Sequence, residues 1–246
     1  VENSKVTNHL FVIGGIIVNA ARLPHPPFES VFDSGPGRWE NRPSPATLHD
    51  PFTLPAMVAN TTAVNRARHH HEPGEPLWLF GYGSLIFKAD FPWQDRRPAS
   101  IRGWTRRFWQ GSHDHRGTPS SPGRVATLIA EPASICHGVA YRVDGDVLAH
   151  LDLREKNGYL RFMTALTFPV GEPAEGLVYI ATADNAAWLG PAPEAEIARH
   201  IAAAEGPSGR NSDYLLLLAS ALRDMSVADD HVSAIERHLM QTLSDR

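Results

Sequence analysis

Residues 77–87 read Leu-Trp-Leu-Phe-Gly-Tyr-Gly-Ser-Leu-Ile-Phe, and this stretch restricts the fold more than any other. Leu77, Trp78, Leu79 and Phe80 form an apolar run of the length of one buried strand. Gly81 and Gly83 then arrive at alternate positions, followed by Ser84 and a second apolar run, Leu85, Ile86 and Phe87. Glycine takes positive φ without steric cost and lets another group come close to the main chain. A buried strand that ends in such a turn aims successive N–H groups at one spot, a small anion nest suited to a carboxylate. Taken alone, the pattern equally describes an ordinary strand-to-turn transition with its aromatic residues in the core.

The rest of the chain can support a sizeable core, since 42% of its 246 residues are hydrophobic, and the length allows one or two domains. A formal net charge of −4 carries no basic excess, so neither nucleic acid nor an anionic membrane surface is an expected partner. Cys136 is the single cysteine, which rules out an internal disulfide and suits a reducing compartment. The expected location is therefore cytoplasmic. No apolar run is long enough to span a bilayer.

Residues 1–75 differ in composition from residues 76–246. Pro24, Pro26, Pro27, Pro36, Pro43, Pro45, Pro51 and Pro55 punctuate them, with few periodic apolar positions. One apolar run, Leu10 to Val18, is broken by Gly14 and Gly15 and reads either as a strand or as the core of a weak signal peptide ending near Ala20. Lys5 alone supplies basic charge ahead of it, which argues against the signal reading. The expectation is a poorly ordered N-terminal extension over 1–75 and one compact domain over 76–246. A chain beginning at Glu75 should then fold and keep whatever activity the domain has. The run His69-His70-His71 invites a metal reading, but no cysteine or acidic residue stands at ligand spacing. It is expected to be solvated, and no metal site is expected.

From Pro76 onward the apolar spacing predicts strands over Leu77–Phe80, Ile101–Trp109, Val125–Ala130, His137–Val143, Phe162–Phe168 and Leu177–Ile180. Glu131-Pro132-Ala133-Ser134 is expected to separate two of them, and His113–Gly123 to be a loop. Val147, Leu148 and Leu151 have helical spacing behind an Asp144 or Asp146 cap. Three helices close the chain: one opened by Pro193 and Glu194 with Ile197 and Ile201 inward, one capped by Asn211 or Ser212 with Leu215, Leu218 and Leu222, and one capped by Asp229 or Asp230 with Val232, Ile235, Leu239 and Leu243. Strands followed by helices give an α+β class, with the sheet closed into a small mixed β-barrel, flanking helices and a C-terminal helical part.

Several groups compete for a chemical role. Arg154-Glu155-Lys156 ends the short helix, and a mixed charge run is ordinarily a solvated face. Here Asn157-Gly158-Tyr159 comes at once, a sharp turn that swings the chain back into a strand. A carboxylate just before such a turn can be aimed inward, with a phenol close by. Ser84 lacks the Gly-x-Ser-x-Gly context of a nucleophile. His113 and His115 lack a third metal ligand and read as a polar loop. Cys136 has no nearby basic activator and reads as a small core residue.

Phe80-Gly81-Tyr82-Gly83-Ser84-Leu85-Ile86 resembles the signature turn of the ChaC-like gamma-glutamylcyclotransferases, as does Leu151-Asp152-Leu153-Arg154-Glu155-Lys156-Asn157-Gly158-Tyr159. Arg96-Arg97, Gly103-Trp104, Arg106-Arg107-Phe108, Arg116-Gly117-Thr118-Pro119, Gly206-Pro207-Ser208-Gly209, Asn211 and Asp213-Tyr214-Leu215 come in the family's order. The resemblance runs from about Pro76 to Leu243 and leaves residues 1–75 without a counterpart. It implies a small β-barrel with packed helices, no metal or organic cofactor, and cleavage of gamma-glutamyl compounds, typically glutathione, to 5-oxoproline and cysteinylglycine. It also implies that Leu79, Phe80, Gly81, Tyr82, Gly83, Ser84 and Leu85 hold the gamma-glutamyl group and that Glu155 is the catalytic acid/base. Tyr159 would position either group and Tyr82 would wall the pocket.

Two positions depart from the family pattern. Asn157 stands where many relatives have a first glycine, and asparagine tolerates the left-handed region. Ser120 stands where relatives often have glutamate. The glutathione-acting group is favoured by Arg154-Glu155-Lys156, with Arg106, Arg107 or Arg116 available for the glycine carboxylate. The rival readings are a cyclotransferase for other gamma-glutamyl amines or amino acids, and a non-catalytic gamma-glutamyl-binding module.

Overall fold

The computed structural model describes residues 10–13, 16–19, 60–69, 71 and 74–245. They fall in two units, 1–48 and 49–246. In the first, β1 (Leu10–Ile13) and β2 (Ile16–Asn19) pair antiparallel, so the run expected as one strand is extended, but as two paired strands. The expectation of poor order over the other residues up to 59 lies outside the described residues, as does His70 of the histidine run.

The second unit is built on a five-stranded mixed sheet. Its strands are β3 (Pro76–Gly81), β4 (Asp95–Ser112), β5 (Gly123–Asp144), β6 (Tyr159–Leu166) and β7 (Ala174–Ala181), in the order β4-β5-β3-β7-β6. β3 lies in the centre, antiparallel to β5 on one side and parallel to β7 on the other. That position explains its unbroken apolar run, because a strand covered on both faces has no solvent side to alternate toward. The outermost strand β4 and the residue just past the other outermost strand, β6, form one isolated bridge, Ser100 to Thr167, through two hydrogen bonds of 2.9 Å each. The sheet thus curls so that its outer strands approach one another, with no continuous closing ladder among the described residues.

The two expected strands Val125–Ala130 and His137–Val143 are one strand, and Glu131–Ser134 does not separate them. The ladder to β4 runs from Arg102/Ile135 straight to Trp104/Ala130, so residues 131–134 bulge opposite Gly103, whose φ is +81°. A bulge bends a long ribbon and shifts its register while pairing resumes on the far side, and it leaves Pro132 without a ladder bond to supply.

α2 (Val147–Arg154) connects β5 to β6, with Val147, Leu148 and Leu151 buried. Asp146 stands at its N-cap without a side-chain capping bond, and Asp144 instead accepts from Gln94 Nε2. α3 (Glu194–Ala203) leads through the two-residue strands β8 (Glu205–Gly206) and β9 (Gly209–Arg210) to α4 (Asn211–Asp224) and α5 (Asp230–Ser244). Arg210, not Asn211 or Ser212, occupies the α4 N-cap position. The Asn211 amide is used elsewhere, pairing with Arg124 N and O at 2.6 and 2.8 Å. Asp229 does cap α5, accepting from Val232 N at 3.0 Å. The expected inward residues of these helices are buried, apart from Leu243, which is 40% exposed near the chain end. Cys136 is buried, and burial pushes its thiol up to about 11, which leaves it a protonated core side chain.

The boundary expected at residue 75 misses one element. α1 (Thr62–Arg68) belongs to the same unit as the sheet, and Thr61 and Asn65 are fully buried in it. Its short polar sequence carries no apolar period, because it docks through hydrogen bonds.

Candidate active site

The glycine turn comes after the central strand and passes into a 3-10 turn, Ser84–Ile86. Neither glycine has positive φ. Each is required for close approach instead. A Cβ on Gly81 would stand 2.5 Å from Leu85 Cβ, and one on Gly83 would stand 2.8 Å from Tyr214 Oη. Arg106, 2% exposed, supports the turn from beneath: its Nε donates to Tyr82 O at 2.7 Å and its Nη2 to His137 O at 2.5 Å. Its charge is matched by Asp229 at the start of α5.

Glu155 ends α2. Its N–H donates to Leu151 O at 2.7 Å, and its carbonyl accepts from Tyr159 N at 3.3 Å. Gly158 carries the positive φ of the turn, +86°, and Asn157 does not. One glycine is therefore enough, and the Asn157 carbonyl instead accepts from the buried Gln110 side chain at 3.0 Å. Arg154 ties the two turns together, donating to Ser84 Oγ at 2.8 Å and pairing with Asp90, with its Nε 3.4 Å from Glu155 Oε1. Burial raises the Glu155 carboxyl above the ordinary carboxylate range, opposed by Arg154 and assisted by Asp90 and Asp114.

Two adjoining cavities meet at this carboxyl. The inner one, ≈ 40 Å³, is lined by Phe80, Gly81, Tyr82, Gly83, Ser84 and Leu85 together with Glu155, Tyr159 and Tyr214. The outer one, ≈ 180 Å³, shares Ser84, Glu155, Tyr159 and Tyr214 and adds Lys88, Asp90, Asp114, His115, Arg116 and Arg154. Tyr82 Oη donates to Tyr179 O and Tyr159 Oη to Ala126 O, each at 2.8 Å, so both phenols are anchored as walls. Tyr214 Oη accepts from Ala126 N at 3.3 Å.

Of the residues that the resemblance assigns to the gamma-glutamyl group or to catalysis, Leu79 alone is absent from the lining of both cavities; it is a fully buried residue of β3. Of the three arginines considered for a carboxylate, Arg116 lines the outer cavity, Arg106 lies beneath the glycine turn, and Arg107 pairs with Glu131 outside. Sequence reasoning gives no role to Arg154 or Tyr214, although both stand within the family motifs. No group of three metal-ligating side chains occurs among the described residues.

A family model described as ChaC-like protein matches residues 77–242. A relative from Arabidopsis thaliana named gamma-glutamylcyclotransferase 2-3 is 44% identical over 181 residues, covering 69% of this chain and 91% of the relative. The Homo sapiens glutathione-specific gamma-glutamylcyclotransferase 1 is 40% identical over 197 residues, covering 75% of this chain and 87% of the relative. A crystal structure of a yeast gamma-glutamylcyclotransferase specific to glutathione superposes with a TM-score of 0.64 at 32% identity, covering 68% of this chain and 96% of that one.

Proposed function

The chain belongs to the ChaC-like protein family, and from that membership we propose that it cleaves glutathione to 5-oxoproline and cysteinylglycine as a gamma-glutamylcyclotransferase. The observation that carries this reading is the Glu155 carboxyl, raised by burial, which is the carboxyl shared by a small glycine-walled cavity and the larger polar one beside it.

The chemistry needs little more. A gamma-glutamyl amide contains its own nucleophile, so the protein's main task is to fold the substrate until the α-amine faces the γ-carbonyl. The Glu155 carboxylate takes a proton from the α-ammonium. The freed amine attacks the γ-carbon, and a ring C–N bond forms. Glu155 returns that proton to the departing nitrogen as the old C–N bond breaks, then takes the second proton from the ring nitrogen and passes it to the released amine. Both protons lost by the amine finish on the leaving amine, so the reaction balances without a cofactor. One carboxyl can act first as base and then as acid when its pKa is drawn toward the working pH. The inner cavity suits the gamma-glutamyl head. Arg116 and Lys88 in the outer cavity suit the carboxylate at the far end.

The reading assigns the reaction to residues 76–246 and a cytoplasmic setting, without nucleic-acid or membrane partners. In support, the only cysteine is a buried thiol, the net charge is −4, and no helix among the described residues is long and apolar enough to cross a membrane.

The test is product analysis of the purified protein with reduced glutathione. Equal amounts of 5-oxoproline and cysteinylglycine are expected. Free glutamate in place of 5-oxoproline would mean hydrolysis and overturn the reading. Efficient turnover of gamma-glutamyl amines with none of glutathione would move it to the broader cyclotransferase class.

A further inference from the structure

We propose that Asn60–Arg68, which precedes the family-matched residues 77–242, is a strap that positions the Glu155 turn, with Thr61 and Asn65 as its positioning residues.

β6 lies at one edge of the sheet, and an edge strand presents unpaired backbone groups. Its first residues continue the Glu155 turn, so the edge and the turn share one fault: carbonyls with no partner in the ladder. The strap supplies them. Thr61 N–H donates to Lys156 O at 2.9 Å. Its hydroxyl reaches Lys156 O at 3.1 Å and Tyr159 O at 2.8 Å. The Asn65 amide donates to Tyr159 O at 2.9 Å and accepts Arg161 N–H at 2.9 Å, the pair of bonds a neighbouring strand would make. Asn60 bridges Asn157, and Thr62 Oγ1 reaches Asp152 O at 3.3 Å.

The bonded carbonyls flank Asn157-Gly158, and they lie one and four residues beyond Glu155. Thr61 and Asn65 are fully buried without touching the cavity, so any effect on turnover passes through the turn. A carboxyl that must meet first the amine and then the leaving nitrogen tolerates little displacement. The proposal rests on the cyclotransferase reading for its catalytic half and on geometry alone for the rest.

The test compares Thr61→Val, which keeps the volume and removes the hydroxyl, with Thr61→Ser, which restores it, and with Asn65→Ala, all in the full chain. Two readouts are taken: the split between kcat and KM for glutathione, and backbone amide exchange. Thr61→Val and Asn65→Ala are expected to lower kcat by about five- to tenfold, the scale of one lost hydrogen bond, with KM within about twofold. Thr61→Ser should recover kcat. Amides of 156–161 should exchange faster in Thr61→Val while those of β3 and β7 stay unchanged.

Wild-type kcat in Thr61→Val overturns the proposal, as does failure of Thr61→Ser to rescue. Faster exchange spread evenly through the sheet would make the segment a general prop and also overturns it. If Thr61→Val does not fold, Asn65→Ala decides by the same readouts, and collapse of both counts against the proposal. Wild-type protein that releases no 5-oxoproline would defeat the cyclotransferase reading, and the exchange pattern would still decide the strap.

Discussion

In the proposed mechanism Glu155 acts as a base before it acts as an acid, so its raised carboxyl has a direct consequence for rate. The ionised form begins the reaction. Activity should therefore fall as pH drops through a pKa above the ordinary glutamate value of about 4.3. A pH profile of kcat/KM checks this, and an acid limb at or below that value would contradict it. Gly83 is tested by size. A side chain there meets the Tyr214 hydroxyl, so Gly83→Val should raise KM while the protein stays folded. Unchanged Michaelis behaviour in a folded variant would refute the expectation. Arg116→Ala should weaken glutathione by roughly one to two decades in KM, since charge-assisted bonds are worth about 1.5–3 kcal/mol, and should barely affect gamma-glutamylcysteine amide. Equal losses on both substrates would remove Arg116 from the carboxylate. At this scale the sequence is legible in placement: residues 80–85 with Glu155 and Tyr159 line the two cavities, as the order of the motifs suggests. The placement of Leu79 and Arg106 is not legible, since a motif shows neighbours in the chain and not which side of a strand each faces. Leu79 points into the core, and Arg106 props the glycine turn from below.

Among the elements, α5 and the glycine turn are joined by one buried pair. Arg106 is almost wholly enclosed, and Asp229 both caps α5 and meets its guanidinium. Asp229→Ala leaves that charge unpartnered, which typically costs about 3–5 kcal/mol. Equilibrium unfolding measures it, and a loss below about 1 kcal/mol would show the pair to be dispensable. Apolar periodicity makes β3, β7, α3 and α5 readable. The joining of two strands into β5 is not readable, because Glu131-Pro132 has the composition of a turn and only the bulge opposite Gly103 carries it through. α1 is equally opaque, since Thr61 and Asn65 are buried for their hydrogen bonds. Those bonds change the outlook for a chain beginning at Glu75. It should fold on the central sheet but lose kcat with the strap, and full activity would place residues 60–69 outside the working unit.

The molecule as a whole holds two turns against each other. One ends the central strand and the other ends α2, and Arg154 joins them through Ser84 while the cavity opens between them. Fold class and family are legible because the order of weak motifs along 77–242 is a property of the entire domain. The curl that brings Ser100 to Thr167 through two hydrogen bonds is not legible, because no local pattern announces it. The central claim is that one carboxyl moves both protons of an intramolecular cyclisation. The most direct measurement is 5-oxoproline release from glutathione by wild-type and Glu155→Gln proteins of equal melting temperature. Glu155→Gln should bind glutathione and lose on the order of a hundred- to ten-thousandfold in kcat, the usual range for a general acid–base group. A folded Glu155→Gln protein with near-normal kcat would contradict it.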